Sequence, residues 1–323
     1  MHTHNDSKFG FYPKPNINQQ LAMDPVKSQN RTTPSFCGST LVWTIRSPSR
    51  DHGQQRGRIW GSQCGHSRLV EVLEVQRDSN TSSVVKKRHP LVVVPGFGAD
   101  YRKYQALQDE LVRVTGQNVY LVPTTSATWL KTFGGRPVTP VLELISSVVE
   151  TSLRESQEEK ITLVGHSAGG WISRIWLGSK HPYRGTIYAG ASKVDSLITL
   201  GTPHTSFEPV TQENMNFVNT KYPGAFEPDV RYVCIGGTGL SMSETEAQAV
   251  KGRFWNPRWF AKVSYQLTAG EGNLLGDGVV PCSVTSLSGA HNVLLRGIFH
   301  APDSPGPWYG HPAAVRYWTQ FCR

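Results

Sequence analysis

The chain has 323 residues and carries a formal net charge of +9, with 18% charged and 38% hydrophobic residues. That length accommodates one large α/β domain plus an extension, and no run approaches the eighteen or so apolar residues that a helical membrane span requires. The basic excess is uneven: residues 1–70 hold nine Lys and Arg against three Asp and Glu. Those basic residues are scattered and are not interleaved with aromatic stacking positions, which argues against a nucleic-acid partner.

Residues 1–80 are rich in Ser, Asn, Gln, Arg and Pro and show no periodic apolar face, so they read as a disordered basic leader. An acid-poor, Ser- and Arg-containing start has the composition of an organelle transit peptide, and it lacks the apolar core of a secretory signal. Import into an organelle is the expected destination, with the cytoplasm as an alternative. Five cysteines, Cys37, Cys64, Cys234, Cys282 and Cys322, stand at wide spacings with no CxxC pair, which fits neither a disulfide framework nor a zinc site. Ser67 to Val75 has neither the strand nor the helix period and stays open.

From residue 88 onward the pattern alternates strand and helix. Leu91-Val92-Val93-Val94 is a continuous apolar run stopped by Pro95-Gly96, as in a central strand covered on both faces. Tyr104, Leu107, Leu111 and Val114 then recur at helical spacing, so a helix is predicted over 101–114. Asn118 to Val122 reads as the next strand, 123–140 as a loop, and 141–152 as a helix. The loop carries Trp129 and Phe133, which are candidates for lining a ligand crevice at the carboxyl end of the sheet.

Ile161 to Val164 forms the next buried strand, followed by Gly165-His166-Ser167-Ala168-Gly169 and a helical pattern through Trp171, Ile172, Ile175 and Trp176. A G-x-S-x-G turn between strand and helix is the nucleophile elbow, which holds a serine in strained positive-φ geometry and exposes its Oγ. The N–H of Ala168, at a helix N-terminus, stands where an oxyanion would develop. Ser196 to Leu200 and Arg231 to Ile235 read as further strands. The polar, aromatic-containing stretches 205–229 and 237–262 beside the latter read as lid-like insertions, with Phe254, Trp255, Trp259 and Phe260 as an apolar wall.

A serine nucleophile needs a histidine and a carboxylate. Asp277, between Gly276 and Gly278, is the preferred acid, because Asp195 and Asp229 each precede a strand and so belong to the opposite sheet edge. Of the three later histidines, His300 ends the apolar run Val293 to Phe299 and emerges at the same edge as the elbow. His291 starts that run, and His311 opens the terminal helix as the alternative base.

Pro95-Gly96-Phe97-Gly98, Gly165-His166-Ser167-Ala168-Gly169, Leu200-Gly201-Thr202-Pro203-His204 and Gly276-Asp277-Gly278-Val279-Val280-Pro281, with His300, together resemble the α/β-hydrolase family on its lipase and esterase side. In order and spacing they are similar to plastid and cyanobacterial hydrolases distantly related to glycosylphosphatidylinositol inositol-deacylases, a resemblance that implies a plastid (chloroplast) as the organelle, with a mitochondrion as the alternative. The resemblance covers about residues 88–320. It implies a doubly wound, mostly parallel sheet and a catalytic domain over 88–323. It also implies a Ser167–Asp277–His300 triad and an oxyanion hole from the N–H groups of Phe97 and Ala168.

The implied reaction is hydrolysis of a carboxylic ester through an acyl-enzyme, without metal or organic cofactor, on a small-molecule or lipid ester reached in solution or at a membrane surface. His166, His204 and Trp255 join Trp129 and Phe133 as substrate-binding candidates; His204 precedes the acid in the chain, which places it outside the family's order of nucleophile, acid and histidine. Thioester hydrolysis or acyl transfer on the same triad is the alternative chemistry, and a non-catalytic binding protein on the same fold is the alternative class.

Overall fold

The computed structural model describes residues 41–44, as backbone, and 89–241, 243, 249, 251 and 256–322. Its centre is a seven-stranded sheet in which every neighbouring pair is parallel. In chain order the strands are β1 (Leu41–Thr44), β2 (Leu91–Val94), β3 (Val119–Leu121), β4 (Ile161–His166), β5 (Val194–Leu200), β6 (Arg231–Thr238) and, after a small antiparallel pair formed by β7 (Leu240–Ser241) and β8 (Leu275–Gly276), β9 (His291–Arg296). Their spatial order is β1-β9-β6-β5-β4-β2-β3.

The inner strands read as unbroken apolar or β-branched runs because both faces of the sheet are covered. Side chains alternate between the faces. Val92, Val94, Leu163 and Leu197 meet α3 (Thr139–Ser156) and α4 (Ala168–Leu177) in one buried cluster. Leu91, Val93, Val164, Ile198, Val233 and Leu295 meet α1 (Gln105–Thr115) and the terminal helix α7 (Pro312–Trp318) in another.

The chain runs from β2 outward to β3, then crosses back past β2 to β4. The order therefore reverses between β2 and β4, and an open α/β sheet forms its ligand crevice where the carboxyl ends of two such strands diverge. The two segments leaving those ends are Pro95–Gly98 and Ser167–Gly170.

Several elements depart from the sequence reading. Within 123–140, expected as loop, α2 (Ser126–Leu130) forms on a capping box in which Thr125 and Thr128 satisfy each other's backbone N–H. Within 205–229, expected as a lid-like insertion, α5 (Pro209–Lys221) buries Met215 and Val218 in the same cluster as α4, so this stretch is part of the core. In the other insertion, α6 (Pro257–Ala269) starts on an Asn256 cap and buries Ala261 and Tyr265.

Leu41–Thr44, inside the stretch expected to be a disordered leader, pairs in parallel with β9, Leu41 opposite Val293. Its residues Leu, Val, Trp and Thr are β-prone, and they extend the sheet by one edge strand. The remaining expectations for 1–88, and those for Phe254 and Trp255, lie outside the described residues.

Candidate active site

Ser167 follows β4 directly, with φ 52° and ψ −125°. A non-glycine residue held there stores on the order of 1–3 kcal/mol of backbone strain, so its surroundings must over-determine it. They do: Ser167 N–H donates to Leu200 O at 2.8 Å, and Ser167 O accepts from Thr202 Oγ1 at 2.8 Å and from Gly170 N at 3.1 Å. Gly170 is required by this packing, since a Cβ there would overlap Thr202 Oγ1. The Gly201-Thr202 turn after β5 thus braces the elbow from the side.

The second loop at the crevice is Pro95–Gly98. A Cβ on Gly96 would come within 2.9 Å of Ser167 Cβ and 3.1 Å of His166 Nδ1, so only glycine lets this backbone lie against the elbow. Gly96 N–H donates to Tyr104 Oη at 3.0 Å, and Ala99 N–H donates to Gly96 O at 3.1 Å. Phe97 N–H takes no part in these bonds. Ala168 N–H, the first of α4, has no intrahelical acceptor. Both donors border the site of Ser167.

Asp277 leaves β8 and is fully buried, and each of its oxygens is assigned. Oδ1 accepts from Val279 N at 3.0 Å and Val280 N at 2.7 Å. Oδ2 accepts from His300 Nδ1 at 2.7 Å and from Tyr309 Oη at 2.8 Å. His300 N–H donates in turn to Asp277 O at 3.0 Å, tying the two loops together. From α6, Tyr265 Oη accepts Gly278 N–H at 2.8 Å and Ser264 Oγ donates to Val279 O at 2.6 Å, so this helix holds the acidic loop. With its Nδ1–H committed to Asp277, His300 presents an unprotonated Nε2 when neutral.

The structure brings Asp277 and His300 into direct contact and sets the His300 ring against that of His166, with centroids 4.8 Å apart. Among the described residues no hydrogen bond joins Ser167 Oγ to His300; bonds of this kind are commonly long without substrate and tighten in the complex. The other histidines are elsewhere. His291, exposed, opens β9 at the far sheet edge and packs on Phe321 at 5.1 Å. His311 is exposed and caps α7 by accepting Ala313 N–H at 3.3 Å. Among the described residues no group of three or more His, Cys, Asp or Glu could hold a metal ion.

Three residues expected to contact substrate are placed in the interior. Trp129 is 2% exposed and its indole donates to Ala99 O at 3.0 Å, so it supports Phe97, whose ring lies edge-on at 5.2 Å. His204 is buried between Thr199 Oγ1 at 3.2 Å and Cys234 Sγ at 3.3 Å, and burial, with the nearby Arg174 charge, drives its pKa well below the ordinary value. His166 is buried with both nitrogens engaged, and burial together with the neighbouring His300 lowers its pKa to about 3. Phe97, 47% accessible, and Phe133, 58%, are two of the exposed apolar side chains, with centroids 6.4 Å apart.

The residues the sequence reading passes over are Tyr104, Tyr265 and Tyr309. Tyr104 enters that reading only as an apolar helix position, and Tyr265 and Tyr309 do not enter it; a buried phenol needs a partner, and that requirement is the one signal available in advance.

Residues 85–255 match the family described as "Putative serine esterase (DUF676)". One curated relative is the abhydrolase domain-containing protein abhd-5.2 of Caenorhabditis elegans, 29% identical over 101 residues, which is 31% of this chain and 22% of that protein. The chain therefore spans about a fifth of the length of this relative. Among solved structures, the lin2722 product of Listeria innocua is 13% identical with a TM-score of 0.41, covering 73% of this chain and 94% of that one. A cutinase-like protein from Cryptococcus sp. is 12% identical with a TM-score of 0.34, covering 74% and 94%. The fold assignment rests on the strand order and the turn at Ser167, and the family match spans more than half of the chain: it belongs to the putative serine esterase family (DUF676) of the α/β-hydrolase superfamily.

Proposed function

We propose that the protein is a serine carboxylic-ester hydrolase acting on lipid-like esters through Ser167, His300 and Asp277. The observation that carries this reading is the buried Asp277–His300 contact at 2.7 Å, set one aromatic ring away from a serine in elbow geometry. In the mechanism, Ser167 Oγ attacks the ester carbonyl while His300 Nε2 takes its proton. The negative charge of Asp277 stabilises the resulting imidazolium. The N–H groups of Phe97 and Ala168 receive the developing oxyanion, a contribution of several kcal/mol when two such donors are preorganised. His300 returns the proton to the leaving alkoxide, and a water activated by the same nitrogen releases the acid from Ser167.

The preference for apolar esters is supported by Phe97 and Phe133, which are exposed although large and apolar and lie on the loops beside the elbow. The test is labelling by a fluorophosphonate probe followed by turnover of p-nitrophenyl esters of increasing chain length. Labelling is expected in the wild type and lost in Ser167→Ala with the fold unchanged. The ratio kcat/KM is expected to rise from acetate to octanoate. Labelling that persists in Ser167→Ala moves the nucleophile elsewhere, and a falling chain-length series removes the lipid-like assignment.

A further inference from the structure

His166 stands next to the nucleophile, yet it is buried and faces no solvent. Its ring is enclosed by Tyr104, His300, Trp308 and Tyr309, with centroids 4.8–5.9 Å away. Its Nδ1 lies 2.6 Å from Tyr104 Oη, and its Nε2 lies 2.9 Å from the backbone oxygen of His300. Tyr104 Oη also accepts Gly96 N–H at 3.0 Å.

The position of every proton in this chain of bonds is set by donor and acceptor capacity. The carbonyl of His300 can only accept, so His166 Nε2 carries a hydrogen. Burial keeps the ring neutral across the ordinary pH range, so Nδ1 is then bare and accepts. The single phenolic hydrogen of Tyr104 is therefore directed at Nδ1, and the phenol oxygen is left to receive Gly96 N–H. The run is Gly96 N–H to Tyr104, Tyr104 to His166, and His166 to the His300 carbonyl. It joins the loop bearing the Phe97 donor, the elbow and the segment bearing the base through buried bonds, to which Lys103 Nζ adds an exposed one at 3.0 Å from Asp303 on the His300 segment.

We propose that Tyr104 and His166 are positioning residues: their fixed-direction hydrogen bonds hold the Phe97 oxyanion donor and the His300 base in register with Ser167. The inference rests on the proposed roles of those three groups. Neither side chain touches the reacting atoms. Each acts by fixing the spacing of two loops that a small relaxation would misalign, and a misplacement of about 1 Å can lower turnover on the order of a hundredfold. The hydrogen-bond run also predicts which groups suffer in Tyr104→Phe. Gly96 N–H and His166 Nδ1 both lose their partner, while the aromatic body that fills the core remains.

The experiment has two arms. Nitrogen-15 NMR of histidine-labelled wild-type protein reads the tautomer of His166, with the resonance assigned by its loss in His166→Gln; the hydrogen is expected on Nε2 and to stay there from pH 8 to pH 5. A hydrogen on Nδ1, or protonation near pH 6.5, overturns the proposal irrespective of any variant. In the second arm, Tyr104→Phe is expected to lower kcat on p-nitrophenyl butyrate by about ten- to hundredfold with KM within twofold, and to slow labelling by the fluorophosphonate probe without lowering its final extent. A kcat within twofold of wild type, or a change confined to KM, overturns it. Ser167→Ala in parallel separates the two readings: an inactive Ser167→Ala beside a fully active Tyr104→Phe defeats only the positioning role, whereas an active Ser167→Ala defeats the proposed triad itself.

Discussion

Replacing Asp277 by asparagine removes one charge and almost no volume, and the bonds around the carboxylate dictate how the amide must sit. Oδ1 faces two backbone donors, Val279 N–H and Val280 N–H. An amide turned to place its NH2 there would set donors against two buried N–H groups, at a penalty of about 1–3 kcal/mol for each group left unsatisfied. The asparagine oxygen therefore stays at the Oδ1 position, and the NH2 takes the Oδ2 position facing His300 Nδ1 and Tyr309 Oη. An NH2 there needs an acceptor, which draws His300 into the tautomer with a bare Nδ1 and a hydrogen on Nε2. That histidine has no lone pair for the proton of Ser167. The expected loss in kcat is about 10⁴-fold, close to 5.5 kcal/mol of transition-state stabilisation. The assay is p-nitrophenyl butyrate turnover at pH 8, with circular dichroism verifying the fold and KM expected to change little. Activity of Asp277→Asn within tenfold of wild type would refute the argument that the Asp277 bonds select the working tautomer.

Gly170→Ala drives a methyl into Thr202 Oγ1 and is expected to destabilise the fold by about 1–3 kcal/mol, read as a lowered urea midpoint; an unchanged midpoint would mean that the brace between the β5 turn and the elbow is slack. His166 and His204 are held neutral by burial, with pKa values below the unfolded value of about 6.5. Between the folded and unfolded values the unfolded chain binds protons that the folded one does not, so this part of the stability is complete above the unfolded pKa and falls as pH decreases. The two together should remove about 2 kcal/mol between pH 6 and pH 5 in urea titrations, and a flat profile over that interval would contradict their buried neutrality. His291→Ala and His311→Ala should both keep turnover within about twofold, with His311→Ala losing about 1 kcal/mol of stability through its missing helix cap. An inactive His311 variant that remains folded would assign the base to the start of α7.

The elbow at Ser167 is legible in the sequence because everything it needs is local: a strand, small residues on both sides of one serine, and a helix. The contact between Asp277 and His300 is legible at one remove, since knowing which residues leave the carboxyl ends of strands narrows the choice of acid and base. The hydroxyls of Tyr104 and Tyr309 are not legible, because their partners His166 and Asp277 lie 62 and 32 residues away; helical periodicity registers only the apolar body of Tyr104, and Tyr309 stands outside any helix. The same holds for Trp129, which aromatic content within a loop marks as a ligand contact and which tertiary packing turns inward beneath Phe97. Helix α5 escapes notice because its apolar positions have no clean period, and it forms because Met215 and Val218 find the surface of α4.

The bond from His166 to the His300 carbonyl spans 134 positions of sequence. The elbow strand is made at about the midpoint of the chain, while the imidazole proposed as its base arrives close to the end, behind parallel pairings that only distant segments can supply. Such non-local closure is slow compared with the formation of helices and turns. On the ribosome, a growing chain would display a complete-looking elbow throughout the synthesis of the residues between Ser167 and His300, without the base proposed to activate it. During refolding from urea, helical signal should return well before fluorophosphonate reactivity, so capture of the probe would report that the final strand and helix have docked.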